Sequence, residues 1–174
     1  MTRKALRYVK WGFFFLLFNL NIGRIDLLPN FVGAFFLLQS LRSQEMMETE
    51  RRLCPLWAIL MVDYFLHWIW DFEYVLESLV MNVISTYAMY VLLGEIAGRV
   101  AKTQPEQAQS LHYIRVALTA LTVLGYLLGA YGELQAVMMW ILIGMLIVLF
   151  ALLGVLLKIK PVDEMVQKNL TQIS

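Results

Sequence analysis

The chain has few of the charged residues with which soluble proteins build a water-facing surface. Only 16% of its 174 residues are charged and 60% are hydrophobic, and the mean hydropathy is +0.68. A soluble domain usually carries about a quarter charged residues and under half apolar ones. The composition therefore excludes an ordinary water-soluble domain. It favours a membrane protein, whose outer surface can be as apolar as its interior.

Cysteine and the common catalytic motifs are almost absent. Cys54 is the only cysteine, which excludes an internal disulfide and leaves the redox compartment undecided. There is no Gly-rich phosphate-binding loop, no paired Cys motif and no assembled Ser-His-Asp or Cys-His arrangement. The formal net charge of +1 gives no sign of a nucleic-acid partner.

Apolar stretches predict an all-α bundle of six transmembrane segments in a single domain, residues 1–160. The predicted segments are residues 8–22, 26–41, 53–70, 74–98, 111–130 and 134–157. Thirteen of the 14 Lys and Arg residues fall at the chain ends, in alternate gaps or, for Lys10 and Arg115, within the first five residues of the adjoining segment, and only Arg24 falls in the other gaps. Since short loops rich in Lys and Arg stay in the cytoplasm, this bias predicts that both termini are cytoplasmic.

The first predicted hairpin has two interpretations. Fifteen helical residues span about 22 Å, against a hydrocarbon core of about 30 Å. The hairpin either spans a thin membrane, with Arg24 and Asp26 at the outer interface, or re-enters and places both residues in a functional site. In either case Asp26 is a natural N-cap, which would put Pro29 in the first helical turn.

Other boundaries follow from turn and breaker residues. Pro55 is expected in the first turn of the third segment, after a polar helix-like stretch, residues 43–52. Residues 104–107 are expected to form a loop, with Ser110 capping the fifth segment. The tail, residues 161–174, has apolar residues at helical spacing and predicts an amphipathic helix on the inner membrane face or on a partner.

Asp63 is the most costly residue for a membrane segment to carry. It lies near the middle of the third segment, where an ionisable residue is a functional-site hypothesis by default. His67 and Asp71 follow at four-residue intervals on the same helical face, with Trp70 beside it. This ladder would suit a proton relay, a bound cation or a set of metal ligands, whereas the alternative is an Asp63 that joins helices by hydrogen bonds.

The fourth segment and the outer rim supply further candidates. Glu77 and Asn82 lie on a partly polar stripe that is expected to face the third segment, either as cavity lining or as helix-to-helix hydrogen bonding. The outer gaps carry five acids against Arg24 alone, and aromatic residues crowd the same level. Such a rim favours a cation or an amine, although an ordinary interfacial aromatic belt looks the same.

Gly125 and Gly129 form a G-x-x-x-G pattern in the fifth segment. Small residues at this spacing let helices approach closely, either within one protomer or against another membrane protein. Together with the tail, this pattern is the expected contact for a protein partner.

Residues 23–33, GRIDLLPNFVG, resemble a segment of small multi-pass membrane proteins of Gram-positive bacteria. The size, the six crossings and the cytoplasmic termini are similar to those of the substrate-binding components of energy-coupling-factor vitamin transporters. Those proteins typically carry an Ala-x-x-x-Ala motif in the first helix, where this chain has residues 13–18, FFFLLF. The second similarity is therefore one of architecture alone.

These features favour a bacterial plasma-membrane protein that binds or transports a small cationic or amine-bearing solute from the outer side. No residues are assigned to a metal site, and the sequence leaves any cofactor unknown. The bilayer and a small-molecule ligand are the expected partners. One alternative is a non-catalytic accessory subunit of a membrane complex. Another is an intramembrane enzyme that uses Asp63 and His67 as acid and base.

Overall fold

A computed structural model describes residues 2–17, 21–22, 25–26, 30–42, 47–69, 75–129 and 135–161. These residues form six α-helices and one two-residue β-ladder, so the all-α class is confirmed. The helices are α1 (Arg3–Leu17), α2 (Asn30–Arg42), α3 (Met47–Ile69), α4 (Val75–Ala101), α5 (Pro105–Gly129) and α6 (Gln135–Lys158). The strands are β1 (Asn21–Ile22) and β2 (Ile25–Asp26).

The prediction that Asp26 caps the second helix is wrong. Asp26 belongs to β2 and pairs with Asn21 in an antiparallel register, while Ile22 pairs with Ile25. The described second helix begins at Asn30, and Pro29, predicted in its first turn, lies outside the described residues. The pairing satisfies backbone groups of Asp26 by hydrogen bonds between strands, an alternative to helix capping that the Asp-x-x-Pro pattern does not distinguish.

Two other predicted helix starts are also wrong. Helix α5 begins at Pro105, and Ser110 lies within it, donating its hydroxyl to the Glu106 carbonyl at 2.9 Å. Pro105 suits the first helical position because its missing N–H has no intrahelical partner there. Helix α3 begins at Met47, so Pro55 is inside the helix and not in its first turn. A proline there removes one backbone hydrogen bond, and the flanking turns continue the helix.

The first compact unit comprises α1, α2, α3 and the part of α4 up to Ala88. Thr2 caps α1, because its hydroxyl accepts a hydrogen bond from the Ala5 amide at 3.3 Å. Helix α1 packs on α2, and α2 packs on α3. The buried apolar side chains follow helical spacing on each helix; they include Ala5, Val9 and Phe13 of α1, Ala34, Leu37 and Leu41 of α2, and Leu53, Trp57 and Leu60 of α3.

Two glycines set the distance between α1 and α2. A Cβ on Gly33 would lie 2.8 Å from Leu16 Cγ, 2.9 Å from the Gly12 carbonyl oxygen and 3.0 Å from the Leu16 amide nitrogen. A Cβ on Gly12 would lie 2.6 Å from Leu37 and 3.1 Å from the Gly33 carbonyl oxygen. The two backbones can approach this closely only because neither position carries a side chain.

The second compact unit runs from Met89 to Ile159. Helix α4 continues into a short turn in which Thr103 and Gln104 both donate backbone hydrogen bonds to the Val100 carbonyl, and α5 follows. Helix α5 packs on α6. A Cβ on Gly125 would make an ordinary contact with Ile141 of α6 at 3.6 Å, so Gly125 faces a helix of its own chain.

Three helical stretches are long and apolar enough to cross a membrane. They are Leu79–Ala101 in α4, Pro105–Leu128 in α5 and Met139–Lys158 in α6. No more than 22% of each stretch is buried, and many of its exposed side chains are large and apolar, as Val83, Leu127 and Ile147 illustrate. A lipid environment accounts for such surfaces, because hydrocarbon solvates them without the cost that water would impose.

Candidate functional site

Asp63 lies on α3 at the edge of its buried face. Leu53, Trp57 and Leu60 precede it at helical spacing and are fully buried, and Asp63 itself is 7% exposed. A carboxylate that is removed from water to this degree is costly unless charged or hydrogen-bonding groups accompany it. The neighbours of Asp63 therefore decide what this position can do.

His67 is one neighbour of Asp63 that can donate a hydrogen bond or carry a positive charge. Its Nδ1 is 3.0 Å from the Asp63 backbone carbonyl oxygen and 3.5 Å from Asp63 Oδ1. A carbonyl oxygen only accepts, so Nδ1 carries a proton in this contact. Nε2 belongs to a side chain that is 37% exposed. The pair thus joins a buried carboxylate to an imidazole that reaches the surface.

Helix α4 meets this part of α3 through a residue that sequence reasoning missed. The Tyr64 hydroxyl and Ser85 Oγ are 3.2 Å apart, within hydrogen-bonding distance. Asn82 lies three residues before Ser85, on the same face of α4. The Thr86 hydroxyl is used locally, since it donates to the Asn82 carbonyl at 2.7 Å. Tyr64 follows Asp63 directly, and its spacing from Ser85 gives no sequence signal for this contact.

The remaining predicted site residues are described only in part or not at all. Arg24, Trp70 and Asp71 lie outside the described residues. Asp26 and Glu77 are placed in β2 and α4 by their backbones, and their side chains lie outside the description. The predicted amphipathic tail also lies outside it beyond Pro161. Among the eight predicted residues, the structure therefore places three side chains: Asp63, His67 and Asn82.

An aromatic cluster occupies a different face of α3. Phe31 of α2 packs edge-on against Phe65, with ring centroids 5.3 Å apart, and contacts Trp68 at 5.5 Å. The cluster adjoins an entirely apolar cleft of about 320 Å³ between α2 and α3, which Met61 helps to line. Since two residues turn a helix by about 200°, Met61 and Asp63 point to roughly opposite sides. The cleft and the Asp63–His67 pair are separate features.

Within the residues that the structure describes, no group of three His, Cys, Asp or Glu side chains comes close enough to hold a metal ion. A carboxylate, an imidazole and nearby hydroxyl and amide groups can instead bind an organic or hydrated cation, or transfer a proton.

Comparison with known proteins adds no further constraint: no protein-family model, curated protein or solved structure matches this chain.

Proposed function

We propose that this chain is an integral membrane protein that binds a small cationic or amine-bearing solute at Asp63. The observation that supports this most directly is the 7% exposure of the Asp63 side chain, with the His67 imidazole 3.5 Å away and at the surface. A carboxylate in a desolvated site attracts a cation more strongly than one in water. The ammonium or cation would lie against Asp63, and His67 would stand between it and the solvent.

In this proposal the facing helix supplies neutral hydrogen-bonding groups. Ser85 and Asn82 are placed on the face of α4 that meets Tyr64. Hydroxyl and amide oxygens accept hydrogen bonds from an amine without adding charge. The predicted members outside the described side chains, Asp71, Trp70 and Glu77, would extend the site towards the outer rim. Arg24 and Asp26 would join it if the first hairpin re-enters the membrane.

A ligand-dependent thermal shift tests this proposal. We expect the detergent-purified protein to gain thermal stability from at least one member of a panel of inorganic cations, alkylamines, polyamines and quaternary ammonium ions. Asp63→Asn should weaken the binding of that ligand about tenfold or more, because a hydrogen bond to a charged group contributes roughly 1.5–3 kcal/mol. The melting temperature across a ligand titration gives both affinities.

Glu95→Gln is the matched control, since it makes the same acid-to-amide change in the second unit. It should leave the ligand-induced shift intact. A cooperative melt of Asp63→Asn without ligand would show that the variant folds. If the panel produces no shift, or if Asp63→Asn responds as the wild type does, the cation-binding proposal is wrong.

The proposal places six segments across a bacterial plasma membrane, with both termini in the cytoplasm. It can be tested by labelling, because Cys54→Ser removes the only native thiol. In intact cells, an impermeant maleimide should label Glu73→Cys and Glu133→Cys and should reach Thr103→Cys only after permeabilisation. Labelling of Thr103→Cys in intact cells would contradict this topology.

The accessory-subunit and enzyme hypotheses remain alternatives, and neither gains a specific observation. Gly125, half of the expected partner motif, contacts Ile141 within the chain.

A further inference from the structure

Arg115 holds an unusual position between α4 and α5. Helix α5 starts with a polar stretch, residues 105–110. Its apolar part begins at Leu111, and Arg115 lies four residues after Leu111. At 1.5 Å per residue this is about 6 Å into the apolar part of a helix that can cross a membrane. That depth corresponds to the boundary between lipid headgroups and acyl chains, where a guanidinium needs an anionic or aromatic partner.

The structure supplies the aromatic partner. Arg115 Cζ lies over the Tyr90 ring, 4.6 Å from its centroid, in a cation–π arrangement. A Cβ on Gly94, one turn further along α4, would overlap Arg115 Nη1. Because Gly94 has no side chain, the Arg115 guanidinium can lie against α4 at this position. Steric fit at Gly94 and the cation–π contact with Tyr90 together position the Arg115 side chain.

The hydrogen-bonding capacity of this guanidinium is incompletely used. Arg115 Nε is buried and makes no hydrogen bond within the part of the chain that the structure describes. A guanidinium has five N–H donors in a planar fork that matches phosphate or carboxylate oxygens. Arg99 and Lys102 at the end of α4 and His112 on α5 add cationic or ionisable groups at the same end of the helix pair. With Arg115 they outnumber the two acids there, Glu95 and Glu106, so this end carries an excess of positive charge that favours an anion.

An apolar groove begins beside this cation. It has a volume of about 450 Å³, is lined by Tyr90 of α4, and continues along α5 from Val116 past Ala120 to Leu127. The one hydroxyl on its α5 wall, that of Thr119, donates to the Arg115 carbonyl at 2.8 Å, so the wall offers hydrocarbon. From Val116 to Leu127 the helix rises by eleven steps, which is about 16 Å. This length is close to the hydrocarbon depth of one leaflet, which is half of about 30 Å.

We infer that this groove binds an anionic phospholipid of the bilayer, with its phosphate on Arg115 and one acyl chain along α5 from Val116 to Leu127. The positive charge of Arg115 at one end of the groove favours an occupant with an anionic group over an apolar protein helix. The apolar length of the groove, which matches the depth of one leaflet, favours a lipid over a soluble anion. The headgroup lies at the end that carries Arg99 and Lys102, and the chain runs towards the bilayer centre. This is also the side on which the Lys and Arg bias predicts the cytoplasm.

Native mass spectrometry of the full chain in detergent tests this inference. The probes are phosphatidylglycerol, phosphatidylcholine with the same acyl chains, and glycerol phosphate, which carries the anion without the chains. The wild type should bind phosphatidylglycerol about tenfold more tightly than phosphatidylcholine, the expected contribution of a charge-assisted phosphate contact. Glycerol phosphate should not compete at the same concentration. Equal binding of the two lipids, or full competition by glycerol phosphate, would overturn the proposal.

Variants separate the headgroup contact from the acyl-chain contact. Arg115→Gln should remove the preference for phosphatidylglycerol, and Arg115→Lys should restore part of it, because lysine keeps the charge without the planar fork. Ala120→Phe should reduce the binding of both lipids by filling the groove. The matched controls are Lys158→Gln, an exposed cation at the end of α6, and Ala151→Phe, an exposed alanine on α6. Both should behave as the wild type does.

If Arg115→Gln does not fold, Ala120→Phe still tests the proposal, because it keeps the charge of Arg115 and changes only the groove. Unchanged lipid binding by Ala120→Phe, or an unchanged lipid preference in a folded Arg115→Gln, would refute the assignment.

Discussion

Gly33→Ala is expected to lower the free energy of unfolding of the first unit by about 1–3 kcal/mol, the usual cost of overpacking a tight contact. The added methyl group would lie 2.9 Å from the Gly12 carbonyl oxygen and 3.0 Å from the Leu16 amide nitrogen. Both are backbone atoms and cannot rotate away, so α1 and α2 would have to separate. Denaturation by sodium dodecyl sulfate, followed by circular dichroism, measures the change.

Gly154→Ala is the matched control for this substitution. Gly154 lies in α6, and nothing is within 4 Å of the position its Cβ would occupy. This variant should be neutral or slightly stabilising, because alanine favours helix over glycine by up to about 1 kcal/mol. Hydrogen–deuterium exchange should show faster exchange in α1 and α2 of Gly33→Ala, with α5 and α6 unchanged. Equal stability of the two variants would show that the helices do not approach this closely.

Trp57→Ala is expected to cost more, about 3–5 kcal/mol, because it removes a large, fully buried side chain and leaves a cavity. Trp57 is the largest of the side chains with no exposure, and Leu53 and Leu60 lie beside it on the same face of α3. The same denaturation experiment applies. The loss should appear as a lower midpoint of the transition that reports on α1 to α3.

Two variants control for the tryptophan substitution. Trp140→Ala changes a residue that is 67% exposed and should cost little in detergent. Trp57→Phe keeps an aromatic ring and removes an indole N–H that has no acceptor among the described residues, so it should cost less than Trp57→Ala. A Trp57→Ala variant as stable as Trp140→Ala would mean that α3 does not bury this face.

The order and type of the helices could be read from the sequence because they depend on local composition. Long apolar runs predicted the bounds of the last three helices to within a few residues. The exception is the start of α5, which lies earlier than predicted, at Pro105. The strand pairing of Asn21 with Asp26 could not be predicted, because an Asp three residues before a Pro suits a helix cap and a turn equally well. Pro55 was misplaced because proline marks helix starts more often than interiors.

The candidate site was predictable only as a set of positions on one helix. The four-residue spacing of Asp63 and His67 implied a shared face, and their side chains are indeed 3.5 Å apart. The contact between Tyr64 and Ser85 requires a particular rotation of α4 relative to α3, which no local pattern encodes. Likewise, the noticeable G-x-x-x-G pattern lies in α5, whereas the closest helix approach uses Gly12 and Gly33, which are far apart in sequence.

The amino-acid sequence by itself determined that this protein is helical and has surfaces suited to lipid, because both properties follow from the apolar content and periodicity of each segment. Only the tertiary structure decided which residues meet: Gly12 with Gly33, Tyr64 with Ser85, and Arg115 with Tyr90 and Gly94. The physical reason is that one residue of rotation turns a helix by about 100°. The identity of a contacting face is therefore settled by packing between helices, after each helix has formed.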